Sequence, residues 1–153
     1  MAEAGAFVPV GFDPPPGLAA GELRLEPLGP QHNERDYAAW TSSMDHIHDS
    51  PGYAGRSWPH TMSLAENLAD LARHAREFVE RSGFTYTVLD ATDDVVGCVY
   101  IYPCDDGVHD AMVLSWVRES QALRDGDLRR AVAEWLTSDA WPFARPLYEP
   151  LLS

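Results

Sequence analysis

The sequence predicts one domain of the α/β (α+β) class, a mixed, mainly antiparallel sheet flanked by helices. Two runs of alternating aromatic and β-branched residues, Phe84–Leu89 and Val95–Tyr102, stand on either side of the turn Ala91-Thr-Asp-Asp and read as a hairpin. A long amphipathic run, Leu64–Ser82, comes before them. The length of 153 residues suits a single domain, and 45% hydrophobic with 23% charged residues is enough to build a core.

Residues 1–21 carry Pro9, Pro14, Pro15 and Pro16 with Phe7, Val8, Val10 and Phe12 between them. Proline removes backbone donors and fixes φ, so this segment is expected to be an extended arm without strand or helix. Its apolar residues suit packing on the domain or on a partner, and a frayed terminus is the alternative. The domain proper is then residues 22–153. Leu23-Arg-Leu-Glu-Pro alternates and ends at a proline, which predicts the first strand. Tyr37, Trp40, Met44 and Ile47 recur at three- and four-residue steps and predict one helix over Asn33–Ile47. The prolines and glycines of Ser50–Pro59 mark a loop.

The helix Leu64–Ser82 is the clearest element. Ser63 and Glu66 form a capping box, and Leu64, Leu68, Leu71, Ala72, Ala75, Phe78 and Val79 offer one apolar face. Gly83 is expected to supply the left-handed stop. After the hairpin, Ala111–Val117 is a third strand. Leu128, Ala131, Val132, Trp135 and Leu136 mark a last helix capped by Asp125 or Asp127. Pro142, Pro146 and Pro150 break up the tail and leave one short strand near Leu147–Tyr148.

The formal net charge is −13, and all eleven basic residues are arginine. So acidic a surface repels phosphate backbones, which argues against nucleic acid as a partner. No apolar run has the roughly 18 residues of a membrane span. The N-terminus lacks a signal-peptide pattern, so a cytoplasmic chain with no membrane partner is expected. Cys98 and Cys104 are spaced for neither zinc nor a disulfide framework, and reduced thiols fit that compartment.

Strand, two helices, three antiparallel strands and a helix, with Val95-Val-Gly-Cys-Val-Tyr-Ile-Tyr in the second hairpin strand, resembles the front of the GNAT superfamily of N-acetyltransferases over Leu23 to about Leu136. The resemblance implies acetyl-CoA as co-substrate and a small-molecule or peptide amine as acceptor. It places the pantetheine arm on backbone groups of Ser115, Trp116 and Val117, and the pyrophosphate at the start of the next helix, beside Arg124 and Gly126. The family's Gln/Arg-x-x-Gly-x-Gly/Ala loop is altered here. Aligned on Gln121 it keeps Gly126; aligned on helix phase it puts Asp127 and Arg129 at the glycine positions. Asp125 and Asp127 oppose a pyrophosphate, whereas Arg124, Arg129 and Arg130 could bind one. The tail is also shorter than the family's, and the tyrosine that often acts as general acid has no counterpart.

Glu119, just past the third of these strands, and His46 are candidate bases. A solvated loop carboxylate and a helix-end histidine are the plainer readings. His46 and His48 point about 200° apart on a helix, so no metal is assigned to them. Tyr53, Trp40 and Trp58 surround the loop that shapes the acceptor pocket in the resembled family; the plainer reading makes Trp40 core and packs Trp58 on Pro59 under the loop, and Trp116 and Trp135 also read as core. Two functions stay open: an acetyltransferase with an atypical cofactor loop, and a catalytically degenerate binding or interaction domain. A sheet edge left open would suit a homodimer.

Overall fold

The computed structural model describes residues 6–153. Residues 1–5 of the expected arm lie outside it. One six-stranded sheet runs β1 (Leu18–Ala20), β2 (Leu23–Pro27), β3 (Phe84–Leu89), β4 (Val95–Tyr102), β5 (Ala111–Val117) and β6 (Pro146–Leu147), in that spatial order. Every pairing is antiparallel except β5 with β6, which is parallel over Ala111↔Pro146 and Met112↔Leu147. The mixed, mainly antiparallel sheet with flanking helices is the architecture that the sequence predicts.

Strand β1 lies inside the expected arm. Gly21, at φ +60, turns the chain back so that Leu18 pairs with Leu25, a conformation glycine adopts without steric cost. The rest of the arm packs on the sheet. Val8 is buried, and Phe7 and Phe12 stack against Phe84, Trp141 and Phe143. Arg81 holds it there by donating to the carbonyls of Pro9 and Phe12.

The helix expected over Asn33–Ile47 is two, α1 (Asn33–Thr41) and α2 (Met44–His48), broken at Ser42-Ser43. The Ser42 hydroxyl donates to the Ala39 carbonyl and competes with the helical ladder. Helix α3 (Leu64–Glu80) starts at the expected capping box, Glu66 N–H to Ser63 Oγ and Ser63 N–H to Glu66 Oε1. Its left-handed stop is Arg81 at φ +66 rather than Gly83. Gly83 serves close packing instead: a Cβ there would stand 2.4 Å from the Tyr102 ring.

Helix α3 lies on the sheet, but through a different stripe from the expected one. Leu64, Leu68 and Val79 are exposed, whereas Asn67 and Leu71 are buried and His74 and Phe78 turn inward on Thr85, Phe84 and Tyr86. Helix α4 (Asp125–Leu136) buries Leu128, Val132, Trp135 and Leu136 on the other core, with the arm. Gly97 lets β4 and β5 meet, since a Cβ there would sit 2.1 Å from the Trp116 carbonyl oxygen.

Candidate functional site

The fold has a gap between β5 and β6 and a cavity on the opposite side of β5. The gap opens because β6 pairs with β5 over two residues only. Beyond Met112, strand β5 continues through Ser115 to Val117 paired with β4 on one side and with no strand on its β6 side. Side chains fill the space.

Arg129, on the inner face of α4 and 5% exposed, reaches into the gap. It donates to the Ser115 carbonyl at 3.2 Å, to the Glu149 carbonyl at 3.0 Å and to Asp125 Oδ2 at 2.8 Å. Its guanidinium lies 5.6 Å from the centre of the Tyr148 ring, within cation–π range. Tyr148 is fully buried and its hydroxyl is 2.5 Å from Ser115 Oγ. Burial pushes the Tyr148 phenol up to about 12, so it stays protonated.

The start of α4 is equally committed. A 3-10 turn over Glu119–Arg124 runs straight into the helix, and the Asp125 N–H donates to the Ala122 carbonyl. The helix has no aspartate cap: its first flanking residue is Arg124, and Asp125 and Asp127 lie within the first turn. Arg130 pairs with Asp127. Arg124 pairs with Glu22 at 3.1 Å and donates to Gln121 at 2.9 Å. Gly126 is exposed, and a Cβ there would meet nothing nearer than Arg130 at 3.5 Å, so no close backbone approach requires a glycine.

Acyl-CoA does not fit this arrangement. The β5 carbonyl that would receive a pantetheine arm is already bonded, the guanidinium and phenol occupy the gap, and carboxylates stand where phosphates would rest. Of the three arginines that could compensate, only Arg129 points into the gap, and it is paired there. Ser115, Trp116 and Val117 are all buried. Trp116 bonds the Tyr100 hydroxyl through its indole N–H at 2.9 Å.

The second place is a cavity of about 410 Å³ between α1, α3, the loop after α2, and strands β4 and β5. Trp58, Tyr53, Tyr100 and Tyr102 form its aromatic walls, with Leu28, Leu71, Met112 and Leu114. Its polar groups are Asp36, Asn67, Asp70, Arg56, Arg73 and His74. Asp36 is 4% exposed, and one oxygen accepts from Asn67 Nδ2 at 3.1 Å. Asn67 also bonds the Asn33 side chain and the indole N–H of Trp40. Burial, reinforced by the neighbouring Asp70 charge, pushes the Asp36 carboxyl up to about 6. Burial and the nearby Arg73 push His74 down to about 4, so its imidazole is neutral. His74 Nδ1 lies between the hydroxyls of Thr85 and Tyr102. The Tyr53 hydroxyl is enclosed and has no partner among the described residues.

Neither candidate base belongs to this cavity. Glu119 is exposed, and its backbone N–H donates to Ser43 Oγ at 2.8 Å. His46 is in α2, outside the cavity lining, and His48 bonds the Pro59 carbonyl at 2.6 Å. Cys104, Asp106 and His109 bring ligand-type atoms within 4.8 Å of one another, but Asp106 is engaged by the backbone N–H groups of Val108 and His109. Among the described residues no helix is long and apolar enough to cross a membrane.

No family model and no curated protein matches the sequence. Solved structures do match its fold. The ribosomal-protein-S5-alanine acetyltransferase of Vibrio fischeri superposes with a TM-score of 0.58 at 15% identity, over 78% of this chain and 66% of its own. The microcin C7 self-immunity acetyltransferase MccE, in complex with acetyl-CoA and AMP, gives 0.63 at 13% identity, over 80% and 65%. RimL, a ribosomal L7/L12 α-N-protein acetyltransferase in complex with coenzyme A, gives 0.61 at 12%, over 82% and 70%. All are GNAT acetyltransferases, and the chain has a GNAT-like fold. It spans just under two thirds of the length of the first two.

Proposed function

We propose that this chain is a catalytically degenerate GNAT-fold domain that binds a small ligand in the cavity beside α1 and α3, its acyl-CoA gap closed from within. The observation that carries the reading is the Arg129 guanidinium, which takes the Ser115 carbonyl and bridges β5 to the segment after β6. Fold alone does not decide activity, and the site argues against cofactor entry. Calorimetry with acetyl-CoA tests this directly. No heat is expected at millimolar ligand, and no gain in unfolding stability. A bound ligand at 100 times its Kd would add about 2.7 kcal/mol, and a saturable isotherm would overturn the reading.

A second reading, acetyl transfer from acetyl-CoA to an amine, is favoured by the fold and by a cavity on the acceptor side of β5. It requires Arg129 and Tyr148 to leave the gap together. Release of free thiol from acetyl-CoA in the presence of an amine panel would establish it.

A further inference from the structure

The loop between β4 and β5 gathers a thiol, a carboxylate and an imidazole. Cys104, Asp106 and His109 each bring one ligand-type atom within 4.8 Å of the other two. The spacing of the two cysteines hides this, because the partners of Cys104 are an acid and a histidine further along its own loop. None of the three lines the cavity beside α1 and α3. Gly107, at φ +75, turns the chain left-handed, a conformation that glycine adopts without steric cost, and His109 comes back onto Asp106. Asp106 Oδ1 accepts the N–H groups of Val108 and His109, each at 2.8 Å. That fixes the carboxylate and leaves Oδ2 to face His109 Nδ1 at 2.5 Å. A carboxylate tied down through its other oxygen has the outer-shell support that a metal ligand needs. The bonds from His109 and Val108 hold the Asp106 carboxyl well below the usual carboxylate range, so it is an anion at any working pH. Asp110 accepts the N–H groups of Ala144 and Arg145 and ties the end of the loop to the tail. His109 Nε2 is enclosed and has no partner among the described residues, so Asp106 alone sets the tautomer of the ring.

We propose that Cys104, Asp106 and His109 form a binding site for a divalent transition metal of the zinc class. A thiolate and an imidazole among the donors select against calcium and magnesium, which take oxygen ligands. Three protein donors leave the fourth tetrahedral position of zinc to water. On binding, the Cys104 thiol gives its proton to the buffer, and the His109 ring proton moves from Nδ1 to the unpartnered Nε2. The Asp106 carboxylate is already ionised and releases nothing. Affinity therefore falls as pH drops and the thiolate is lost. Without metal the same atoms form a hydrogen-bonded lock of the loop, and the two states differ in whether Cys104 is a thiolate.

The test titrates Co²⁺ and then Zn²⁺ into the full chain, kept reduced by a phosphine in a buffer that does not bind metal. A thiolate-to-cobalt charge-transfer band in the near ultraviolet is expected, saturating at equimolar metal and abolished by Zn²⁺. Cys98 is buried within β4 and offers no competing thiolate. Cys104→Ser should remove the band. His109→Gln should weaken binding by more than about tenfold, since the loss of even an outer-shell partner costs that much. If His109→Gln does not fold, Cys104→Ser decides, because it exchanges only sulfur for oxygen in a surface loop. Absence of the band at millimolar Co²⁺ overturns the proposal. So does equal Zn²⁺ affinity in the wild type and Cys104→Ser, which would place the metal on other histidines. Either result leaves the closed gap and the ligand cavity untouched, since both are read with other ligands.

Discussion

Asp36 and His74 line one cavity and titrate in opposite senses. Asp36, raised to about 6, holds its proton more tightly folded than unfolded, so its contribution to stability is present at low pH and lost as pH rises from about 4 to 7. His74, lowered to about 4, does the reverse: unfolding takes up a proton below its ordinary value, so stability falls as pH drops through that range. The wild-type profile is thereby flattened, and single substitutions should separate the two. Asp36→Asn is expected to raise unfolding stability by roughly 2–3 kcal/mol at pH 8 and to be near neutral at pH 4, read from urea midpoints. An equal effect at both pH values would refute the buried ionised carboxylate. At Arg129 the expectation is opposite in sign. Arg129→Ala strips the partner from Asp125 and two carbonyls, and should cost about 3 kcal/mol. A loss below 1 kcal/mol would mean the guanidinium is not fixed in the gap.

At the scale of elements, the strands were legible and the ends of helices were not. Strands β3, β4 and β5 have the bounds that the sequence predicts, because runs of aromatic and β-branched residues between turn signals suit strands that are mostly buried. Helix α3 was found for its cap, yet its buried stripe was misread. Asn67 and His74 occupy inward positions that an apolar count leaves out, and those two polar residues face the cavity. The same signal, Asn33 and Asp36 on the buried side of α1 with Trp40, is the trace of a polar site that residue class could have revealed. The closing of the cofactor gap was half legible. Helix phase puts Arg129 at a glycine position, but only tertiary contact shows that it bonds strand β5 instead of a phosphate. Two substitutions test the elements. Ser63→Ala should remove one cap bond and cost about 1 kcal/mol. Gly97→Ala must push β4 from β5 at the Trp116 carbonyl and should cost roughly 3 kcal/mol, enough to lower the yield of folded protein. A Gly97→Ala variant with wild-type denaturation midpoint would contradict the register described.

Across the whole molecule, a net charge of −13 works against compactness. Raising sodium chloride to about 0.5 M should increase the unfolding midpoint by screening this repulsion. A falling midpoint would show that the arginine pairs outweigh it. The N-terminal arm adds a constraint of another kind. Phe7 and Phe12 are seated among Phe84, Trp141 and Phe143, and the Pro15 carbonyl accepts from the Tyr86 hydroxyl. Made before Trp141 and Phe143, the arm finds its seat only after α4 and the tail have emerged from the ribosome. Until then the rings of Phe7 and Phe12 lack their Phe143 and Trp141 partners. Slowed translation of the last strand and tail should therefore increase aggregation of this protein more than slowed translation of the α1–α3 segment.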